Sequence, residues 1–222
     1  YSMKVCIVVT THYSDEYRPN GNELIKNFCE SAKHLSHPFK LYVFDNASVK
    51  KLDELNYSYV EMIRVENQHL RGLSGTWNDG IKMAIKDSCD IVIVSNDDVE
   101  LNKTVNTFVN QISTHQHNEI GMYGPLSNGI LGGIQKQNQP VERTWELTNN
   151  KSNMINGFFY GFTKDFYNRF KMKDRNLIDE KNYPWGGNEE ELQNRIWSQG
   201  ARSFVLGSCH IFHHKIRGWR QL

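Results

Sequence analysis

Two adjacent carboxylates directly follow a strongly apolar segment near the middle of this 222-residue sequence. In DIVIVSNDDVEL (90–101), four β-branched residues precede Ser95, Asn96, Asp97 and Asp98. A run that is apolar at every position is typical of a strand buried on both faces. Carboxylate oxygens are the ligands that Mg²⁺ and Mn²⁺ prefer. The segment therefore predicts either a solvated acidic turn or a divalent-cation site that uses Asp97 and Asp98.

Polar residues also end two other strand-like segments in the first half of the chain. Thr10, Thr11, His12 and Tyr13 follow one of them, and Asp45 ends another. Predicted strands at 4–11, 39–46, 59–65, 90–96 and 119–126 alternate with predicted helices at 22–35, 76–88 and 101–114. This order indicates βαβ units in an α/β fold, with a mostly parallel central sheet flanked by helices. Because ligands bind at the carboxyl ends of such strands, we expect these polar residues to meet in one crevice.

The second half of the chain has a different composition. A Gly-, Gln- and Asn-rich loop is predicted at 129–140, and an aromatic strand followed by a short helix at 153–170. A Trp-Gly-Gly turn then precedes a predicted helix at 189–198, which begins with three consecutive glutamates, and a further strand follows. An acidic first turn stabilises a helix through its dipole. A carboxylate held there could also take a proton from a substrate.

Composition excludes several classes of protein. The formal net charge is only +1, so we expect no nucleic-acid partner. No apolar stretch approaches the ~20 residues of a membrane span. The four cysteines show no paired spacing, which predicts reduced thiols and a cytoplasmic protein. Peripheral association with a membrane is the alternative. The length suits a single domain, although the chain could belong to a longer multidomain protein.

Five segments, in order, resemble the family 2 inverting glycosyltransferases of the GT-A fold. They are IVVTTHY (7–13), VFDNAS (43–48), ENQHLRGLSGTWNDGI (66–81), VIVSNDDVEL (92–101) and WGGNEEELQNRIWSQGAR (185–202). The resemblance extends over about residues 4–214. It implies a single GT-A domain, with a nucleotide-binding half at about 1–125 and an acceptor-binding, catalytic half at about 126–222. It also implies transfer of a sugar from a UDP- or dTDP-sugar to a glycan or other hydroxyl acceptor, as in polysaccharide biosynthesis.

The resemblance also implies a divalent metal, Mn²⁺ or Mg²⁺. Such an ion would neutralise the charge that builds on the departing diphosphate. The family pattern is Asp-x-Asp, and Ser95 stands where its first Asp belongs. Ser95 and Asp97 share a strand face, so Asp97 is the first candidate ligand and Asp98 the second. A C-terminal histidine completes the family's metal or diphosphate site, which points to His213, with His210 as the alternative.

Candidate donor contacts follow from the same motifs. The resemblance implies that Asp45 accepts a hydrogen bond from a uracil-type base, although an Asp in DNAS is also a common turn residue. An arginine near the C terminus, Arg217, would clamp the diphosphate together with Arg220, unless both are ordinary surface residues. The full set of predicted nucleotide and donor contacts is Thr10, Thr11, His12, Tyr13, Asp45, Asn78, Asp79, Asn96 and Arg217.

The candidate general base lies at the start of the last predicted helix. Counting back from Arg195, the family's catalytic Asp falls on Glu189, and Glu190 is the alternative if the register differs by one. Asn188 replaces the acidic residue that precedes it in the family. Trp185 would present an apolar face to the acceptor sugar, although core packing explains a tryptophan equally well.

Two other functions use the same architecture. A nucleotidyltransferase that makes a nucleotide sugar usually has a Gly-rich, basic loop after the first strand, and THYSDEYRPNG (11–21) is not such a loop. A non-catalytic module that binds sugar or nucleotide would account for Ser95 and Asn188 at positions that are acidic in the family. This module would bind a donor without turning it over.

Overall fold

Four parallel strands form the first half of the central sheet. The computed structural model describes residues 2–67, 70–115, 120–130, 132–147 and 153–215. The strands are β1 (Val5–Thr11), β2 (Phe39–Asn46), β3 (Val60–Val65) and β4 (Ile91–Asn96), in the spatial order β3-β2-β1-β4. Each predicted strand of this half is confirmed within two residues. The central strand β1 is buried at all seven positions, because helices cover both of its faces.

The strand ends meet as the sequence predicts. In the register of β1 with β4, Thr10 lies opposite Asn96, and in the register of β1 with β2, Thr11 lies opposite Asp45. The polar residues that follow these strands therefore share one edge of the sheet, the edge at which α/β proteins bind ligands.

The second half of the sheet is mixed rather than parallel. Its strands are β5 (Val99–Glu100), β6 (Gly121–Ser127), β7 (Thr144–Leu147), β8 (Phe159–Thr163) and β9 (Arg202–His213). The order continues from β4 as β8-β6-β9-β5, and β7 also pairs with β9. Strand β8 is antiparallel to β4, whereas β6 and β9 are parallel to each other. Strand β9 is long, and its end pairs His213 with Val99, one residue from Asp98.

Five helices flank the nine strands found in the described residues. They are α1 (Gly21–Ser31), α2 (Gly72–Lys86), α3 (Val105–His115), α4 (Lys164–Phe170) and α5 (Asn188–Ser198), and a short 3₁₀ turn follows α1. Helices α1 and α3 bury Phe28 and Phe108 in one apolar layer, and α2 and α5 bury Ile81 and Ile196 in the other. Both layers of the core are therefore anchored on the same sheet.

Helix α2 begins four residues earlier than predicted. Its first residue, Gly72, has φ +64°, and its backbone amide donates a hydrogen bond to the Asn67 carbonyl at 2.6 Å. A positive φ is costly for residues other than glycine. The backbone amide of Ser74 then donates to the Pro184 carbonyl at 3.0 Å, which satisfies one of the free N–H groups in the first turn. This contact fastens α2 to the turn before α5.

The expectation of four reduced cysteines is wrong. Cys6 in β1 and Cys89, just before β4, form a disulfide with Cα atoms 5.9 Å apart. Adjacent pairing of β1 with β4 brings these two side chains together, although 83 residues separate them in sequence. Cys29 and Cys209 are buried free thiols, and burial raises the pKa of each to about 12. Within the described ranges, no helix has the length and apolar character needed to cross a membrane.

Candidate active site

A cavity of about 320 Å³ opens at the carboxyl edge of the sheet. We call it the main cavity. Both halves of the chain contribute to its lining. The residues predicted from the sequence that line it are Thr10, Asn96, Asp97, Asp98, Trp185, Glu189 and His213. Lining residues without a predicted site role include Arg18, Trp77, Asn156, Gly157, Phe158 and Lys215. The structure thus brings the candidate metal ligands and the candidate base into one space.

Asp97 is bonded to the protein through both of its carboxylate oxygens. Oδ1 forms an ion pair with the Arg18 guanidinium, and Oδ2 accepts a hydrogen bond from the Thr11 hydroxyl at 2.8 Å. Burial raises the pKa of the Asp97 carboxyl, and the neighbouring Asp98 charge acts in the same direction. Arg18 and Thr11 oppose that rise. The first candidate metal ligand is therefore occupied by two protein groups.

Asp98 and His213 form a second polar pair in the main cavity. His213 Nε2 lies 3.1 Å from Asp98 Oδ2, and the imidazole stacks on Phe158 with ring centroids 4.9 Å apart. Ligands at adjacent corners of an octahedron with bonds of about 2.1 Å are about 3 Å apart. The spacing of this pair therefore fits two ligands of one divalent cation. The alternative histidine, His210, instead contacts the Gln137 carbonyl at 2.8 Å.

The described residues contain no cluster of three or more His, Cys, Asp or Glu side chains suited to a metal. Asp98 and His213 are the residues that could hold one. Mg²⁺ commonly takes only one or two protein ligands and completes its shell with water and substrate phosphates. The Asp98–His213 pair thus fits an ion that binds together with a diphosphate. Asp97, the residue before Asp98, would lie beside that ion.

Glu189 lies in the first turn of α5, against the backbone of Gly157. A Cβ built on Gly157 would lie 3.0 Å from Glu189 Cδ and 3.2 Å from its Oε1. The helix is held in place by Gln193, whose Oε1 accepts from the Ile155 amide at 2.8 Å and whose Nε2 donates to the Ile155 carbonyl at 3.0 Å. This arrangement leaves the Glu189 carboxylate in the wall of the main cavity.

The two glutamates that follow point elsewhere. Glu190 is exposed and lines a smaller neighbouring cavity of about 160 Å³, which Glu189 and Asn156 also line. Glu191 forms an ion pair with Arg195 at 2.7 Å, one helical turn later. Successive helix residues point about 100° apart, which explains the three different environments. Of the three, Glu189 is the one on the main cavity.

The turn that carries Trp185 is tied to the start of α2. The Ser74 hydroxyl donates to the Tyr183 carbonyl and accepts from Asn188 Nδ2, the latter at 2.8 Å. These bonds join the first-half helix to the first residue of α5. They hold the turn that carries Trp185, a partly exposed residue that lines the main cavity. Asn188 is thus a buried structural residue in this chain.

Four of the predicted donor contacts lie near the main cavity but not in its lining. Thr11 is bonded to Asp97, as described above. His12 is fully buried, with Nδ1 2.8 Å from the Asn46 carbonyl. Tyr13 packs its ring under the Lys50 ammonium, 4.8 Å from the ring centroid. These residues lie on the side of the site formed by the end of β1.

Asp45, the fourth, ends β2 beside Thr11. Its Oδ2 lies 3.3 Å from Arg64 Nη1, while its Oδ1 is buried and has no hydrogen-bond partner among the described residues. A buried carboxylate oxygen without a donor is costly unless a ligand supplies one. This oxygen is therefore able to accept a hydrogen bond from a bound base.

The structure does not bring Asn78 and Asp79 to the main cavity. The Asn78 side chain is buried and bonds the backbone of Leu177 and Ile178, with its amide donating to the Ile178 carbonyl at 2.9 Å. Asp79 accepts two hydrogen bonds from Arg71, at 2.8 and 2.9 Å. Both side chains are used to fasten α2 to a neighbouring loop. Arg217 and Arg220 lie outside the described residues.

Sequence reasoning missed Arg18, the buried cation of the main cavity. It lies in a tight hairpin after β1, in which Ser14 and Arg18 exchange backbone hydrogen bonds of 3.2 and 3.3 Å. The Gly21 amide donates to the Arg18 carbonyl at 3.0 Å. The sequence signal that could have indicated Arg18 is its position in the loop that follows the polar end of β1.

Solved structures that superpose on this chain include glycosyltransferases of the GT-A type. The chain superposes on S. aureus TarS 1-349 with a TM-score of 0.62 and 15% identity, covering 95% of this chain and 60% of that one. The structure of TarS 1-349 in complex with UDP-GlcNAc gives a TM-score of 0.63 and 18% identity. The structure of GalNAc-T7 with UDP, GalNAc and Mn²⁺ gives 0.66 and 16%, covering 96% of this chain and 44% of that one.

This chain has the GT-A glycosyltransferase fold. The fold predicted from the sequence is therefore confirmed. The chain spans less than two thirds of the length of these neighbours. No protein-family profile matches the sequence, and no curated protein matches it.

Proposed function

We propose that this chain is an inverting glycosyltransferase that uses a nucleotide-sugar donor, with UDP as the preferred nucleotide. The observation that carries the proposal is that Glu189 and the Asp98–His213 pair line the same cavity, at the carboxyl edge of a GT-A sheet. The structural neighbours determined with UDP and UDP-GlcNAc support a uridine donor. A cytoplasmic location remains a prediction.

The nucleotide would bind along the ends of β1 and β2. Asp45 Oδ1 is the buried acceptor for an imide N–H, and a base without that donor would leave it unsatisfied. Thr11 lies opposite Asp45, and Thr10 lies opposite Asn96 at the ends of β1 and β4. The residues of 1–125 would thus hold the nucleotide, while Trp185 and Glu189 from 126–222 would face the acceptor.

Asp98 and His213 would hold a divalent cation, Mn²⁺ or Mg²⁺. When bound, the ion supplies positive charge to the diphosphate as negative charge builds on it. The imidazole must be neutral to bind a metal through Nε2. Stacking on Phe158 fixes the plane of the ring, so that Nε2 stays directed at Asp98. The neighbour determined with Mn²⁺ supports this role for a metal.

Glu189 would act as the general base. The acceptor oxygen attacks the anomeric carbon, the bond from that carbon to the donor phosphate oxygen breaks, and its electron pair leaves with the diphosphate. The acceptor proton passes to a Glu189 carboxylate oxygen. A positioned base of this kind contributes ~10²–10⁴-fold in rate. The carboxylate packs against Gly157, which has no side chain to displace it, and proton transfer requires such close positioning.

Calorimetry tests whether the chain binds the proposed donor nucleotide. UDP should bind to the purified protein, and its affinity should rise when Mn²⁺ is added. Asp98→Asn should remove most of the Mn²⁺ effect, because it removes one of the two proposed ligands. Glu190→Gln, on an exposed residue outside the main cavity, is the matched control and should bind as the wild type does. Absence of UDP binding with and without metal would overturn the proposal.

A further inference from the structure

The main cavity contains buried hydrogen-bond donors that the described protein groups do not use. Arg18 Nε, Trp77 Nε1 and the Thr10 hydroxyl are buried and have no partner among the described residues. All three side chains line the main cavity. An unsatisfied buried donor costs ~1–3 kcal/mol, and more when the group is charged. Three of them around one space indicate a ligand rich in acceptor oxygens.

Arg18 is the charged member of this set. Its side chain is only 3% exposed, and its ion pair with Asp97 Oδ1 lies at the end of β4. A guanidinium has five N–H donors in a planar fork, a geometry that matches phosphate oxygens. The pair with Asp97 engages Nη2 and leaves Nε for another acceptor. The hairpin at 14–18 fixes the backbone, so the fork is already oriented before a ligand binds.

The ion pair does not by itself explain the buried arginine. Desolvating two charges often cancels the attraction between them, so a buried ion pair is weak support for a stabilising role. Asp97 also accepts from the Thr11 hydroxyl at 2.8 Å, which holds the carboxylate in one orientation. Asp97 therefore serves as a rigid support that presents Arg18 to the main cavity.

We infer that Arg18 is a diphosphate-binding residue and that Asp97 is its positioning residue. The inference rests on the proposed function and extends it. A cation built into the protein neutralises part of the diphosphate charge, so that part of the donor affinity persists without a metal. Asp98 and His213 would supply the metal-dependent part. This division also gives Asp97 a role other than direct metal ligation.

The test compares UDP with uridine in EDTA by calorimetry. Arg18→Gln alone leaves Asp97 buried without its cation and risks unfolding, so Arg18→Gln is combined with Asp97→Asn. Asp97→Asn alone separates the two effects. Arg202→Gln is the control for the loss of one positive charge, because Arg202 pairs with Glu146 on the surface and lies outside the main cavity. Circular dichroism confirms that each variant is folded.

We expect UDP affinity in EDTA to fall at least tenfold in the double variant, because a charge-assisted contact to phosphate is lost. Uridine affinity should change less than twofold, and Arg202→Gln should match the wild type. Asp97→Asn should cause a smaller loss, since Arg18 keeps its charge. Adding Mn²⁺ to the double variant should restore part of the UDP affinity.

A folded double variant with unchanged UDP affinity in EDTA would overturn the role of Arg18. So would a wild-type protein that binds uridine and UDP equally well in EDTA, although the nucleotide site itself would then stand. If the wild type binds neither UDP nor uridine with or without Mn²⁺, the proposed function fails and the inference fails with it. These outcomes therefore distinguish the two failures.

Discussion

At the scale of single residues, the close approach of Gly157 to Glu189 is the contact most directly tied to the proposed chemistry. The Glu189 carboxylate lies over the Gly157 backbone, where even one methyl group would stand 3.0 Å from Cδ. A carboxylate held this way loses little freedom before it takes a proton. A misplacement of about 1 Å is enough to disturb such a geometry.

Gly157→Ala should therefore lower sugar transfer about tenfold while leaving UDP affinity within twofold of the wild type. The added methyl group pushes the carboxylate away from the acceptor, whereas the nucleotide contacts lie on β1, β2 and β4. Initial rates at saturating donor, with calorimetry of UDP as the internal control, measure the two effects. An unchanged rate in Gly157→Ala would show that this contact does not position the base.

His12 is a buried histidine whose protonation opposes folding. Desolvation by burial lowers the pKa of its imidazole below the ordinary value, against the raising effect of the Asn46 carbonyl. The unfolded chain therefore binds a proton near pH 6.5, where the folded chain does not. Acidification through and below pH 6.5 then favours unfolding.

The free energy of unfolding should fall between pH 7.5 and 5.5, and His12→Gln should show a shallower fall over the same range. Urea denaturation at several pH values measures both slopes. His34 is an exposed histidine, and His34→Gln serves as the control that should keep the wild-type slope. Equal slopes in the wild type and His12→Gln would mean that another group causes the pH dependence.

At the scale of elements, the attachment of α2 to the second half of the chain decides where α5 begins. Ser74 binds the turn before α5, Asn78 binds the loop at 177–178, and Arg71 bridges Asp79 and Glu180. The Arg71 guanidinium has its pKa raised by hydrogen bonds to Glu180 and Asp79, so it stays charged. Contacts from two residues of α2 and from the residue before it thus position the segment that carries Glu189.

Asn78→Ala tests whether this residue is structural or a donor contact. It should lower the free energy of unfolding by about 2–4 kcal/mol, because two backbone amides and one carbonyl lose their partner. UDP affinity should stay within twofold of the wild type. Chemical denaturation and calorimetry are the measurements, and Asn194→Ala, on an exposed residue of α5, is the control.

The opposite result, with stability retained and UDP affinity lost, would place Asn78 on the donor as the sequence predicts. The motif around Asn78 points to the donor only by resemblance. The structure instead satisfies the Asn78 side chain with the backbone of Leu177 and Ile178 and with the Glu180 carboxylate, about 100 residues away.

The sequence predicts the strands of the first half well because each is a short apolar run that ends in polar residues. It also locates Asp98, Glu189 and His213, since strand ends and helix starts can be read from local pattern. The two-residue strand β5 and the exposed edge strand β7 carry too little pattern to be recognised. Their existence depends on pairing with the distant β9.

Contacts between distant segments account for what the sequence does not predict in the site. Arg18 meets Asp97 across 79 residues, and Cys6 meets Cys89 across 83. Neither of these long-range contacts follows from the periodicity or the motif spacing of the sequence. Both follow from the register of β1 with β4, which only the folded sheet fixes.

At the scale of the whole molecule, the main cavity is lined by residues from both halves of the chain. The first half of the chain provides Thr10, Asp97 and Asp98 at or just after strand ends. The second half provides Glu189 from α5 and His213 from β9. Strand β9 crosses to β5 and so delivers His213 beside Asp98. The proposed donor and acceptor groups consequently meet only in the complete fold.

The most direct test of glycosyl transfer from this cavity is a rate comparison between Glu189→Gln and Glu190→Gln. A screen of UDP-sugars with Mn²⁺ first identifies a donor from which the wild type releases UDP. At saturating donor, Glu189→Gln should then lower the rate by ~10²–10⁴-fold with UDP affinity unchanged, because the amide cannot take a proton. Glu190→Gln should remain within about threefold of the wild type, since its side chain is exposed and outside the main cavity. A Glu189→Gln variant that binds UDP and transfers sugar at the wild-type rate would contradict the account.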